Sequence, residues 1–165
     1  MIIFRQIIAV ITKFIEANIV SNNSKITENK KQLLTIKSIR AKWEDNENLF
    51  NESPKKFFKK FMNEYFKDLS EEKKAEYFSI FLRVSQKIQA NKMIEILGAP
   101  DKLNILILQK YIETFNFENM DVLFAMRVLF SNFLMFGEAQ MIERVVEEFV
   151  KHYYKSNQVK GNKLI

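Results

Sequence analysis

Apolar residues recur every three or four positions along most of this 165-residue chain, which is the spacing of amphipathic α-helices. The pattern predicts helices over residues 30–49, 54–65, 70–89, 91–97, 101–115 and 121–135, and a last helix from residue 138 onward. Residues that favour helix starts, Ser53 with Pro54, Ser70 and Asp101, stand at the beginnings of three segments, and Gly98 stands at the end of another. The sequence therefore predicts an all-α fold.

The first twenty residues are strongly apolar, but Arg5, Lys13 and Glu16 interrupt them. A membrane-spanning helix needs about 20 apolar residues with few charges, and a signal peptide needs an apolar core followed by small residues. Neither pattern fits. The apolar positions share one face of a helix: Ile2, Ile3, Ile7, Val10, Ile11, Phe14, Ile15 and Ile19. We interpret this segment as an amphipathic helix that packs on the rest of the chain or on a partner, with a membrane-surface helix as the alternative.

Residues 121–135 are apolar nearly all round, although they include the charged residue Arg127. A helix that is apolar on every side is typical of the buried centre of a domain. The sequence therefore predicts a buried central helix here, with Arg127 paired or reaching out to solvent.

Composition supports a helical domain and narrows its chemistry. The chain has 16 Phe, but only 3 Gly and 2 Pro, whereas sheet folds need more turn residues. It has no cysteine, and His152 is its single histidine, which argues against disulfides, thiolate or histidine-cluster metal sites and most histidine-based catalysis. The chain has no Gly-rich phosphate loop, and no two carboxylates stand at a spacing that indicates a catalytic pair. The expectations are no cofactor, no bound metal and no covalent chemistry, with a structural role for His152.

The net charge of +6 lies mainly at the front of the chain. Residues 1–68 hold 13 Lys and Arg against 8 acids, and residues 69–165 hold 13 against 12. Such an excess attracts an anionic membrane surface, nucleic acid or an acidic partner, although a solvated helix face explains it equally well. In residues 54–65 lysines alternate with aromatics, but the spacing of Phe57, Phe61 and Tyr65 favours a buried stripe. We therefore expect no nucleic-acid partner.

One short stretch joins the last two predicted helices through Gly137, with Glu138 directly after it. A glycine permits a sharp turn, and an acid at the start of a helix is stabilised by the helix dipole. On spacing alone, this is an ordinary helix–helix corner with an exposed acid.

The residues around this corner resemble the first signature motif of the Sec-seven domain, the domain of the guanine-nucleotide exchange factors for Arf GTPases. The matching residues are Gly137, Glu138, Ala139, Gln140, Ile142, Glu143, Arg144, Phe149, Tyr153 and Asn157. Upstream residues follow the same family's pattern: Phe50, Asn51, Pro54, Lys55, Lys56, Leu97, Gly98, Asn104, Leu108, Phe117, Ala125, Met126, Arg127 and Phe133. The resemblance runs over roughly residues 50–157, and the tetrapeptide of residues 137–140 is its most specific part.

The resemblance implies an exchange factor for an Arf-family small GTPase, a regulator of Arf signalling and vesicle traffic without covalent chemistry of its own. It implies that Glu138 is the catalytic glutamate that expels the bound nucleotide. The residues that would contact the GTPase are Phe136, Gly137, Ala139, Gln140, Met141 and Arg144. It further implies a cytoplasmic protein, placed peripherally on Golgi or endosomal membranes, and leaves the oligomeric state open.

The extent of the resemblance divides the chain into three parts. We expect a leading helical segment (residues 1–49), a partial Sec-seven-like domain (residues 50–157) and a polar tail (residues 158–165). The domain is expected to be a right-handed stack of short helices, truncated before the family's second motif. An apolar strip of the last helix, around Phe149 and Tyr153, should then lie uncovered and promote self-association.

Two departures from the family leave a second interpretation open. The family's Arg-Leu-Pro before the glycine is replaced by Leu134, Met135 and Phe136, and its lysine after the glutamine by Met141. Together with the missing second motif, these changes are consistent with an exchange-inactive helical module that binds a GTPase or scaffold. A basic binder of nucleic acid or membrane, which depends on charge alone, is the weakest interpretation.

Overall fold

The computed structural model describes residues 28–132 and 138–158, and only the backbone for residues 28–36, 38 and 39. The predicted leading helix, the corner residues Phe136 and Gly137 and the predicted tail beyond residue 158 lie outside the described residues. Within them the structure contains seven helices and no strand: α1 Glu28–Glu52, α2 Pro54–Tyr65, α3 Glu71–Val84, α4 Ala90–Leu97, α5 Lys102–Glu113, α6 Val122–Phe130 and α7 Ala139–Asn157. The predicted all-α class is confirmed.

Local sequence signals place several helix starts. Pro54 occupies the first turn of α2, where a missing backbone N–H leaves no hydrogen bond unmade. The side chain of Ser70 accepts a hydrogen bond of 3.4 Å from the backbone N–H of Lys73 at the start of α3. Asp121 accepts from the backbone N–H groups of Leu123 and Phe124 at the start of α6, at 2.9 and 3.4 Å. Side-chain caps of this kind satisfy donors that a helix cannot satisfy itself.

The core is built on aromatic rings from α1, α2 and α3, and α3 makes its most extensive helix contact with α5. Phe57 stacks on Phe81 with ring centroids 5.5 Å apart, and Phe61 lies 5.2 Å from the same ring. The i, i+4 stripe predicted for residues 54–65 is therefore a core stripe. Burial raises the pKa of Tyr111 on α5 to about 12, so its hydroxyl stays neutral inside the core.

α3 ends at Val84, whereas the sequence pattern predicted a helix as far as residue 89. The next residues are held by side chains of α1. The carboxylate of Glu47 accepts from the backbone N–H groups of Gln86 and Lys87, at 2.7 and 3.2 Å. Asn51 accepts from the backbone N–H of Gln89 at 2.8 Å and donates to the carbonyl of Lys87 at 2.7 Å. These tertiary partners replace the hydrogen bonds of another helical turn.

The division of the chain after residue 49 stays a prediction, and two structural facts bear on it. α1 runs without a break from Glu28 to Glu52, across that position. Trp43 and Glu47, which precede it, already contact the core: the ring of Trp43 lies 5.3 Å from Phe81, and Glu47 is 4% exposed.

The prediction of a buried central helix over residues 121–135 is wrong for the part that the structure describes. Only Ala125 and Leu129 of α6 are buried, and Arg127 is exposed. Leu123 and Phe124 are 63% and 55% exposed, although nothing in their apolar character distinguishes them from the core residues. A helix that is apolar on every side can be buried, but it is buried only where other helices pack against each of its faces.

Candidate functional site

Glu138 lies immediately before the first residue of α7 and is exposed. Its backbone is extended, with φ −64° and ψ 147°, and its carbonyl accepts from the N–H groups of Met141 and Ile142, at 2.9 and 3.3 Å. Its carboxylate does not cap the helix, and no hydrogen bond or ion pair joins it to another residue of the described part of the chain. A charged group is thus presented to solvent on a backbone that is fixed by the first helical turn.

The neighbouring predicted site residues divide into two groups. Ala139 and Gln140 are exposed beside Glu138, as a contact surface requires, whereas Met141 and Arg144 are half-buried and turn toward α4. Phe136 and Gly137 lie outside the described residues. The roles assigned to all of these residues remain predictions.

Gly98 lies directly after α4, and both Met141 and Arg144 of α7 contact it. The guanidinium of Arg144 donates two hydrogen bonds to the carbonyl oxygen of Gly98, from Nε at 2.9 Å and from Nη2 at 2.6 Å. The side chain of Met141 comes so close that a Cβ added at Gly98 would lie 2.7 Å from the Cβ of Met141. We call this three-residue contact the Gly98 anchor.

A second side chain secures the same end of α4. Asn104, on α5, is buried and donates a hydrogen bond of 2.9 Å to the carbonyl of Ile96. Asn104 thus adds a side-chain donor to the carbonyl of Ile96, which also accepts from the backbone N–H of Ala99 at 3.3 Å, and Arg144 supplies the donors to the carbonyl that follows the helix. The helix signals indicate Gly98 as a helix stop, and the family pattern includes both Gly98 and Asn104, but neither pattern predicts these hydrogen bonds.

The other end of α7 is held by the segment that precedes α6. The hydroxyl of Tyr153 donates to the carbonyl of Met120 at 2.8 Å, and Asn157 donates to the carbonyl of Phe117 at 3.1 Å. Asn157 also accepts from the backbone N–H of Asn119, whose φ is 61°. His152 contacts the carbonyl of Phe115 at 3.2 Å, which supports the structural role predicted for it.

The uncovered strip predicted on α7 involves other residues than those expected. Phe149 is 1% exposed and packs against Phe117, and Tyr153 is half-buried. The exposed apolar side chains of α7 are Val150 and Tyr154, at 53% and 58%. With Val122, Leu123 and Phe124 of α6 they form the set that we call the exposed apolar residues.

A groove of about 530 Å³ lies beside the anchor, between α2 and the segment that joins α4 to α5. Phe58, Met62, Leu103 and Met141 supply apolar lining. Lysines and carboxylates both border the groove, so its charge favours neither an anionic nor a cationic ligand.

The described ranges contain neither a metal site nor a membrane-spanning helix. No group of three or more His, Cys, Asp or Glu is arranged to hold a metal ion there. Among the same residues, no helix combines the length and the apolar character that crossing a membrane requires.

Known proteins similar to this chain identify its family. The model of the Sec7 domain matches residues 40–163, about three quarters of the chain. Brefeldin A-inhibited guanine nucleotide-exchange protein 4 of Arabidopsis thaliana is 34% identical over 82 residues, which cover 50% of this chain and 5% of that protein. Brefeldin A-inhibited guanine nucleotide-exchange protein 1 of Homo sapiens is 28% identical over 132 residues, which cover 80% of this chain and 7% of that protein.

Solved structures agree with the family match. The Sec7p catalytic domain has a TM-score of 0.61 at 24% identity, over 73% of this chain and 65% of that one. The Sec7 domain bound to ARF1-GDP and Brefeldin A has a TM-score of 0.58 at 25% identity, over 73% of this chain and 60% of that one. The chain thus spans a small part of these long curated relatives and about two thirds of the solved domains. It belongs to the Sec7 domain family, the Sec-seven family that its sequence predicts.

Proposed function

We propose that this chain takes part in guanine-nucleotide exchange on an Arf-family small GTPase, and that Glu138 is the residue that acts on the bound nucleotide. The observation that supports this is the exposed carboxylate of Glu138, which has no partner among the described residues and stands on a backbone held by hydrogen bonds to its own carbonyl at the start of α7. Relatives named as exchange factors, and a related Sec7 domain that binds ARF1-GDP, support the choice of partner.

The proposed mechanism is electrostatic. A GTPase holds its nucleotide through a Gly-rich loop, a lysine and a magnesium ion, which together neutralise the phosphates. A carboxylate that enters this site repels the β-phosphate and competes for the lysine and the metal. Two unit charges about 4 Å apart near a protein surface interact by roughly 4 kcal/mol, so one well-placed acid is a large perturbation.

In this proposal the exposed residues Ala139 and Gln140, with Phe136, Gly137 and Met141, form the contact surface around Glu138. Their proximity in sequence to Glu138 and the exposure of the first two support this assignment. Arg144 lies apart from them, because its guanidinium donates to Gly98.

The second candidate function is a binding module that does not exchange nucleotide. Three consecutive exposed apolar residues of α6, Val122, Leu123 and Phe124, favour it, because clustered apolar surface is typical of interaction sites. Such a module would bind a GTPase or scaffold whether or not Glu138 is intact.

The experiment compares nucleotide release from an Arf-family GTPase with catalytic amounts of the unmutated chain and of Glu138→Lys. The substitution should lower the rate by roughly two to three decades, at about 1.4 kcal/mol per decade, and should stabilise the nucleotide-bound complex, because a lysine attracts the β-phosphate. Glu138→Gln should fall between the two.

Glu147→Lys is the matched control, because Glu147 is an exposed acid on the same helix, about 13 Å further along at the usual rise per residue. It makes the same charge change away from Glu138. Equal losses in both variants would refute the role of Glu138. Binding without exchange by the unmutated chain would establish the second candidate instead.

A further inference from the structure

We infer that Arg144 is a positioning residue, and that the Gly98 anchor fixes the first turn of α7 and with it the carboxylate of Glu138. The structural half of this inference stands on the contacts of the chain alone. Its functional half rests on the proposed exchange function.

The hydrogen bonds of the anchor are strong for a contact between helices. Both donors belong to one charged guanidinium and meet one carbonyl oxygen, at 2.9 and 2.6 Å. Hydrogen bonds from an ionised donor are shorter and stronger than neutral ones, and the planar fork of arginine fixes direction as well as distance. The acceptor lies at the C-terminal end of α4, where the helix dipole favours a positive charge.

The packing of the anchor leaves no room for a side chain at position 98. A Cβ there would lie 2.7 Å from the Cβ of Met141 and 2.9 Å from the carbonyl oxygen of Ile94. Gly98 has φ −89° and ψ −3°, a conformation open to any residue. The φ and ψ angles therefore do not require glycine, whereas the close approaches of Met141 on α7 and of the carbonyl of Ile94 do.

Three links connect the anchor to Glu138. Arg144 donates to the carbonyl of Gly98, the side chain of Met141 fills the space that a Cβ at Gly98 would need, and the N–H of Met141 donates to the carbonyl of Glu138 at 2.9 Å. The far end of α7 has its own attachments through Tyr153 and Asn157. Loss of the anchor should thus loosen the first turn and leave the rest of the helix in place.

The first test measures backbone amide hydrogen exchange in the full chain. In Arg144→Gln and in Gly98→Ala, exchange at residues 141–144 should accelerate by about tenfold to a hundredfold, as expected when a charged hydrogen bond or a tight contact is lost. Residues 149–153 should keep their protection. Arg144→Lys, which keeps the charge and loses the fork, should fall between the unmutated chain and Arg144→Gln.

The control is Arg127→Gln, which removes an exposed arginine of α6 and should leave exchange at residues 141–144 unchanged. Unchanged exchange at these residues in Arg144→Gln would overturn the anchor. Acceleration spread evenly along α7 would also overturn it, because it would show a general loss of stability.

The second test is a double-mutant cycle on nucleotide release. If Arg144 acts through Glu138, Arg144→Gln should slow release about tenfold in the unmutated background and should have little further effect beside Glu138→Gln. Equal slowing in both backgrounds would instead make Arg144 a direct contact of the GTPase and would overturn the positioning role. A chain without exchange activity would refute the proposed function, while the amide measurement would still confirm or refute the anchor.

Discussion

The interior between α1, α2 and α3 and the surface of α6 use similar apolar residues in opposite surroundings. Phe81 is completely buried and contacts rings on two other helices, α1 and α2, whereas Phe124 is more than half exposed. Both belong to apolar helical stretches. The difference lies in their neighbours: the aromatic core has partners on every side, and α6 has them on one side only. Apolar content therefore predicts which side chains gain from burial, and packing decides which are buried.

The two regions should respond differently to the same kind of change. A truncation in the aromatic core removes contacts that hold the fold, and one on α6 removes surface that is available to other molecules. The expected loss of stability decreases from the aromatic core, through the attachment of α1 to the segment after α3, to the surface of α6.

Truncation of the aromatic core should have the largest effect. Phe81→Ala is expected to lower the free energy of unfolding by about 3–5 kcal/mol, because a fully buried ring is lost and a cavity remains. Urea unfolding followed by circular dichroism measures this value. Leu123→Ala is the matched control and should lose less than about 0.5 kcal/mol, since most of that side chain is already in water. Similar losses in both variants would contradict the contrast.

The attachment of α1 to the segment after α3 should have an intermediate effect. Glu47→Ala leaves the N–H groups of Gln86 and Lys87 without their acceptor and should lower the free energy of unfolding by about 1–3 kcal/mol. Glu47→Gln keeps an acceptor oxygen and should lose less, and Glu52→Ala, an exposed acid of the same helix, should change little. A deletion of residues 1–49 should be destabilising for the same reason. An unchanged midpoint in Glu47→Ala would refute this role.

Polar replacement on α6 should have the smallest effect on stability and a clear effect on association. Leu123→Ser with Phe124→Ser should alter the free energy of unfolding by less than about 0.5 kcal/mol per site. It should also reduce self-association, because it removes exposed apolar surface. Sedimentation velocity over a range of concentrations measures this change. A clean monomer at high concentration before any substitution would show that the exposed apolar residues drive no self-association.

The sequence pattern predicted correctly those features of the fold that depend on residues close together in the sequence. The stripe of Phe57 and Phe61, the start of α3 after Ser70 and the end of α4 before Gly98 were all predicted from spacing and helix signals, and the structure confirms them. The end of α3 was wrong because Glu47 and Asn51, almost 40 residues away in sequence, hold the following turn. A single sequence does not display such partners.

The candidate site was predicted in a different way. Spacing alone gave an exposed acid after a glycine, and only the family resemblance singled out Glu138. The contact of Arg144 with Gly98 was not predicted, because an arginine on an amphipathic helix has the same pattern whether it faces solvent or a carbonyl. Gly98 was interpreted as a helix stop, whereas the structure uses it as a point of close approach.

The close approach at Gly98 also limits which second substitutions could compensate for a larger residue at position 98. The obstructing atom on the other helix is the Cβ of Met141, which every residue except glycine possesses. A smaller side chain at position 141 therefore cannot compensate for a larger one at position 98. A glycine at position 141 would relieve that clash, but it would weaken the first turn of α7 by about 1 kcal/mol, and the carbonyl of Ile94 would still obstruct the new atom. Second-site suppressors of Gly98→Ala should consequently be rare, and those that arise should shift the start of α7 as a whole.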